Sequence, residues 1–384
     1  MFCGNWSNAA NAGVLYRNLN NYRSNDNNNA GFRAADCVST PDISMENTGD
    51  IGMTFPAKAK SAGYATEIYS YTPTLSDVAR IDNLYQGFLN ARRSKRNKRA
   101  IYAFENNLGE NLKTISEALM SNAYVPDTPR AFVINERKRR EIAAPSFRDS
   151  VVQHTIYLLV YELFDRGFIH DSYGCRKGKG AHSASDRLQS FMRQCDSDAY
   201  YLQMDIRKYY YSIPHDRLRE RLERKLSDCA LIDLMMAFSG SGDRGLYIGN
   251  LLSQMYGLIY LDRLDHWMKR VKKQKRYVRY VDDFISVGMS REEAYTLLGE
   301  CERFLEKEMG LSLSKWRVAK ISKGCNYVGF RTWQKTKLVR KFSLHNFSKA
   351  LKRNKNESLV SIVGNAKNTA TYKHFQTKLK ERAA

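Results

Sequence analysis

Two patterns alternate along this chain and together predict an α+β fold. One is short apolar strands that run into aspartate; the other is helices with a single apolar stripe. The run from Arg276 to Val287 places Tyr, Val, Phe and Ile on both sides of Asp282-Asp283. It reads as two strands joined by a tight turn, with both aspartates at the tip. Upstream, Tyr200-Tyr201-Leu202-Gln203-Met204 runs into Asp205 and then into the aromatic turn Tyr209-Tyr210-Tyr211. If these strands lie side by side in one sheet, three carboxylates meet. Adjacent like charges ionise together only beside a cation, and hard divalent ions prefer carboxylate oxygen. Such a cage suits two-metal phosphoryl transfer. A solvated Asp-Asp turn is the plain alternative, and the third acid, Asp205, weighs against it.

Taken in order, residues 1–45 stand apart. Ten asparagines fall in the first 37 residues, including Asn27-Asn28-Asn29. Without periodicity, the segment reads as a polar, disordered stretch. Residues 46–75 read as a linker, and the globular pattern occupies 76–330. Ile81, Leu84, Phe88 and Leu89 have helical spacing and precede the basic run Arg92–Arg99. Phe104, Leu108, Leu112, Ile115 and Leu119 predict one amphipathic helix over about 103–121. Residues 131–149 read as strand, basic turn and strand, a ribbon able to close cations over a triphosphate. The apolar stretch 149–164 reads as a core helix. Ser172-Tyr173-Gly174-Cys175-Arg176-Lys177-Gly178-Lys179-Gly180 is a Gly-rich basic loop that lets backbone N–H groups approach phosphate. It lacks the Gly-Lys-Ser/Thr ending of a P-loop. A helix is expected over 294–309. Residues 331–384 read as basic and helical, anchored by Phe347, Leu351 and Leu359.

Composition narrows the partners. The 384 residues carry a formal net charge of +22, the electrostatic footprint of a protein that meets a polyanion, most simply nucleic acid. No apolar run approaches a membrane span, and no signal peptide is read at the N-terminus. Seven scattered cysteines without a CxxC pair argue against a disulfide framework or a zinc site and for a reducing cytoplasm.

The motifs then converge on one resemblance. Tyr280-Val281-Asp282-Asp283 resembles the YxDD box of reverse transcriptases, and Asp205 falls in what resembles their motif A. The resemblance covers about residues 80–370, with further motifs in order. It implies a right-hand polymerase fold: palm, fingers and a short helical thumb. It also implies that Asp205, Asp282 and Asp283, with the Ile206 carbonyl, hold two Mg²⁺. Lys138 and Arg140 on the fingers hairpin would meet the incoming nucleotide. Tyr210, five residues after Asp205, would wall off a ribose 2′-OH and favour deoxynucleotides. Arg176, Lys177 and Gln254 would meet template or primer, as would Tyr327 and Gly329 in a primer-grip hairpin. Lys315, Arg317 and Lys320 are the three candidates for the motif-D cation.

The stretch Gly245–Gln254 narrows the class. It resembles motif B, but Ile248 stands before Gly249 where the family usually has Gln, and Gln254 stands after Ser253 where Pro is usual. This is the pattern of reverse transcriptases from diversity-generating retroelements. That resemblance implies copying of a template-repeat RNA into cDNA from dNTPs, with errors opposite adenine. A small, basic, oligomeric accessory variability protein would be the partner, in a bacterial, archaeal or phage setting. Asparagine codons begin with two adenines, so residues 1–37 resemble a template repeat read in frame, with Met45 or Met53 as the effective start. No endonuclease signal follows the thumb. A group II intron-like or other bacterial reverse transcriptase without mutagenic role is the alternative enzyme. A basic RNA-binding protein with an inactive palm is the non-enzymatic one.

Overall fold

The computed structural model describes residues 71–135 and 139–383. The asparagine-rich segment, the linker up to residue 70 and Lys138 lie outside the described residues. A four-stranded antiparallel sheet, ordered β4-β5-β3-β6, forms the palm. Its strands are β3 (Tyr200–Ile206), β4 (Tyr277–Tyr280), β5 (Asp283–Met289) and β6 (Leu313–Lys320). Leu202, Met204, Ile206, Phe284 and Ile285 are completely buried, and this is why these strands read as apolar runs with little polar alternation. The helices Ala181–Arg193 and Arg291–Met309 pack against the sheet. The second starts one turn before the expected Ala294. Ser290 and Glu293 form a reciprocal capping box there, and Gly310 at φ 59° ends the helix.

The fingers combine helices with the hairpin β1 (Arg130–Asn135) and β2 (Arg139–Ala144), paired from Arg130↔Ala144 to Asn135↔Arg139. Ser146 caps the long helix Phe147–Asp165 through the Asp149 N–H. The single helix expected over 103–121 is two, Arg99–Asn106 and Leu108–Met120. Asn107 leaves helical geometry at φ −121°, ψ 40°. The apolar stripe hid the break, because Phe104 and Leu108 on either side of it both pack on the same core.

The segment from Arg331 is not helical throughout. β7 (Cys325–Tyr327), β8 (Phe330–Thr332) and β9 (Lys337–Val339) make a separate three-stranded sheet. Each strand is only three residues long, too short to show a period of two. Beyond it come the helices Lys341–Lys352, Asn356–Ala366 and Thr371–Ala383. Phe347 and Phe375 stack at 4.0 Å and tie the first of these to the last. No helix among the described residues is long and apolar enough to cross a membrane.

The helices Ile81–Arg92 and Phe147–Asp165 cross at Gly87. A β-carbon there would lie 2.0 Å from Thr155 Oγ1 and 2.8 Å from the Val151 carbonyl oxygen. Gly87→Ala is therefore expected to cost about 1–3 kcal/mol of unfolding free energy through overpacking. Urea titration reads this directly, and an unchanged midpoint would mean that the two helices can part freely.

Candidate active site

Tyr280 pairs with Asp283, so only Val281 and Asp282 form the turn. This corrects the expectation of both aspartates at the tip: Asp282 is in the turn, and Asp283 is the first residue of β5. Val281 has φ 54°, a left-handed conformation that a β-branched residue adopts only under constraint. The constraint is visible. Arg279 donates from Nη1 to the Val281 carbonyl at 2.9 Å. Its other donors form a two-pronged pair with Asp265, at 2.7 and 2.5 Å. Both side chains are completely buried, and Tyr277 adds a hydroxyl bond to Asp265 at 2.7 Å. From outside, the Asp171 carbonyl accepts from the Arg279 N–H, and the Tyr173 N–H donates to the Arg279 carbonyl. A β-carbon at Gly174 would lie 2.2 Å from Val281 Cγ2, so only glycine allows this approach. Sequence reasoning passed over Arg279 and Asp265. Their signal was a lone arginine in an apolar strand and an aspartate in an apolar helix.

Asp205 and Asp283 are direct cross-strand partners. Asp205 accepts from Ser314 Oγ at 2.6 Å, and Lys315 Nζ lies 3.6 Å from its second oxygen. Asp283 accepts from Gln203 Nε2 at 3.0 Å. Burial pushes the Asp283 carboxyl up to about 8. Gln203 opposes that shift, while Asp205 and Asp282 add to it. Asp282 is completely buried, and its carbonyl accepts from the Ile206 N–H at 3.4 Å. Among the described residues no three His, Cys, Asp or Glu side chains converge at ligand spacing. The three-acid cage expected from sequence is here two facing carboxylates, with the third held in the turn. The donor set still fits a hard divalent cation. It is all oxygen, and its mutual repulsion is what a cation relieves. Of the three motif-D candidates, Lys315 alone is paired with Asp205. Lys320 pairs with Asp198 at 2.8 Å, and Arg317 stands opposite Gln203.

Tyr210 is buried and packs over the Leu251–His266 helix, where a β-carbon on Gly257 would lie 3.3 Å from its ring. Its carbonyl accepts from the Leu246 N–H. Ile248 is buried, and its carbonyl accepts from the Ala143 N–H at 2.8 Å. Gly249, at φ 110°, leaves no room for a β-carbon against Ile142. Ile248 and Gly249 are thus joined to the fingers hairpin, on which Arg140 is buried. Gln254 is half-buried in the first turn of the helix capped by Asn250. Tyr327 is buried beside the turn formed by Val328 (φ 40°) and Gly329 (φ 91°). Arg176 corrects another expectation. All five of its N–H groups are used on Asp165, Ile169 and Ser172, which leaves none for a template phosphate. Lys177 pairs with Glu162 at 2.9 Å. Burial holds His154 down to about 3, so the ring is neutral. Ser314 and Gln203, which hold the two facing acids, were not foreseen; small polar residues in strands carry little signal.

A family model described as reverse transcriptase (RNA-dependent DNA polymerase) matches residues 129–332. The group II intron-encoded protein LtrA of Lactococcus lactis subsp. cremoris is 24% identical over 176 residues, covering 42% of this chain and 29% of that protein. The present chain therefore spans less than a third of LtrA. Protein YkfC of Escherichia coli (strain K12) is 21% identical over 276 residues, covering 59% and 72% of the two chains. Among solved structures, telomerase from Candida albicans with a fragment of telomeric RNA aligns with a TM-score of 0.45 and 12% identity, over 69% of this chain and 57% of that one. Apo telomerase from Candida Tropicalis aligns with a TM-score of 0.46 and 13% identity, over 68% and 58%.

Breaking the pair behind the turn should be costly. Asp265→Ala leaves the Arg279 charge buried without its counterion, which is worth about 3–5 kcal/mol. Guanidinium denaturation measures the loss, and one below about 1 kcal/mol would show that water reaches Arg279 and that the pair does not support the turn.

Proposed function

This chain belongs to the reverse transcriptase family, with the right-hand fold of a group II intron-like polymerase domain, and on that premise we propose that it copies a template-repeat RNA into cDNA with errors at adenine. Asp205, Asp282 and Asp283, with the Ile206 carbonyl, would hold two Mg²⁺. Such ions, when bound, lower the pKa of a primer 3′-OH and steady the leaving pyrophosphate. The protein's own groups supply the rest. Lys315, 3.6 Å from Asp205, places a cation where charge builds on the departing phosphates. Lys138 and Arg140 act from the fingers hairpin on the triphosphate. Tyr210 closes the space that a 2′-OH would need. The Lys- and Arg-rich thumb cradles the duplex through phosphate contacts.

The mutagenic reading is carried by one observation: Ile248, followed by Gly249, puts a hydrocarbon where the family usually has an amide. Fewer directional hydrogen bonds in the pocket weaken discrimination between right and wrong pairs. On this reading the partners are the template-repeat RNA and a small basic accessory variability protein, and the setting is cytoplasmic. The matches to intron-encoded proteins favour a second reading, an intron-type enzyme without mutagenic role. Ile248→Gln separates the two. Adenine-directed errors in sequenced cDNA should fall by about tenfold, whereas an intron-type enzyme would show no adenine bias to lose. Asp282→Ala serves as the control, losing roughly 10⁴-fold or more of primer extension while RNA binding persists. Retained extension would sink the assignment of Asp282 to the metal site.

Asp283 also makes metal binding pH-dependent. In the metal-free fold its carboxyl keeps a proton to about pH 8, while the unfolded chain releases it near pH 4. Its contribution to stability is therefore full below about pH 4 and is lost as pH rises towards 8. A bound cation must displace that proton at lower pH. Mn²⁺ affinity by calorimetry should rise on the order of tenfold between pH 6 and pH 8, and Asp283→Asn should flatten the rise. A pH-independent affinity in the unmodified chain would remove Asp283 from the ligand set.

A further inference from the structure

The Gln203 side chain lies between two parts of the site. One Nε2 proton reaches the Asp283 carboxylate, at 3.0 Å to one oxygen and 3.3 Å to the other. The other reaches the Asn326 carbonyl in β7 at 3.0 Å. Oε1 faces the buried Cys325 thiol, which donates at 3.7 Å. A flipped amide would set its oxygen against the Asn326 carbonyl oxygen, which can only accept, so the orientation seen is the satisfied one. We propose that Gln203 is a positioning residue that fixes the hairpin Cys325–Thr332 to Asp283, so that one amide sets both primer placement and the carboxylate. The proposal rests on the polymerase reading above.

Strand periodicity explains how one side chain comes to do both. Alternate residues of β3 share a face, which puts Tyr201, Gln203 and Asp205 in one row. The Tyr201 hydroxyl donates to the Gly324 carbonyl at 3.3 Å, two residues before the carbonyl that Gln203 holds. β7 thus runs along this row. Tyr201 and Gln203 grip it, and Asp205 and Asp283 stand at its end. A hairpin that shifts pulls on Gln203, and through it on Asp283.

Gln203→Leu keeps the bulk and removes both bonds. Two readouts test it: amide hydrogen exchange on the ligand-free protein, and steady-state extension of a DNA primer on an RNA template. Exchange at Asn326–Phe330 should quicken by about tenfold or more, with β1–β2 unchanged. The primer KM should rise severalfold and kcat should fall, with the nucleotide KM unchanged. Gln203→Asn, one methylene shorter, can hold only one acceptor and should fall between the two; it carries the same test if the leucine variant does not fold. Kinetics like those of the unmodified chain, or hairpin exchange unchanged while kcat alone falls, would overturn the coupling. If the unmodified chain extends no primer, the polymerase reading fails, and the exchange experiment still decides whether Gln203 secures the hairpin.

Discussion

The buried pair Arg279–Asp265 is the interaction on which the site depends. Moving two charges out of water is expensive, and a pair repays this only with good geometry and every remaining donor satisfied. The geometry here is good, and each of the three guanidinium nitrogens has an acceptor. The guanidinium is gripped at two points by Asp265 and at a third by the Val281 carbonyl. Tyr277 occupies further acceptor capacity on the aspartate. The stabilised element is a two-residue turn with a β-branched residue in a left-handed conformation. Without the carbonyl anchor inside and Gly174 pressed against it outside, such a turn would relax, and Asp282 would move with it.

The acids are held in unequal surroundings. Asp205 has a hydroxyl and an ammonium group close by, while Asp283 has a neutral amide and two like charges. Burial therefore raises the Asp283 carboxyl, and the Gln203 amide and the Lys315 cation oppose it only in part. The asymmetry comes from strand register. Ser314 and Lys315 enter from β6 on the Asp205 side, and Gln203 enters from β3 itself.

Much of this was legible in the sequence because it depends on local pattern. The apolar strands ending in Asp205 and flanking Asp282-Asp283 are present, as is the fingers hairpin. What could not be read depends on partners far along the chain. The turn is shifted by one residue because Tyr280 pairs with Asp283, and only strand register reveals that. Arg176 belongs to a basic loop, and its burial against Asp165 is invisible without tertiary structure. Three cations of β6 looked equivalent until pairing with β3 put Lys315 alone beside Asp205. The helix break at Asn107 escaped because the hydrophobic stripe runs straight across it.

The strand order β4-β5-β3-β6 has a consequence for synthesis of the chain. β3 is central in the sheet but precedes both of its neighbours in sequence. Its bond to Asp283 spans 80 residues and its bond to Ser314 spans 109. At roughly 5–20 residues per second on a ribosome, β3 waits several seconds with both edges unpaired. During that time it is an apolar strand carrying one aspartate, open to wrong partners on either side. Asp205 is the one charge that interrupts the apolar run from Tyr200 to Ile206. A charge on an open strand edge disfavours edge-to-edge pairing, and until β5 and β6 are made Asp205 is the residue of β3 that supplies one.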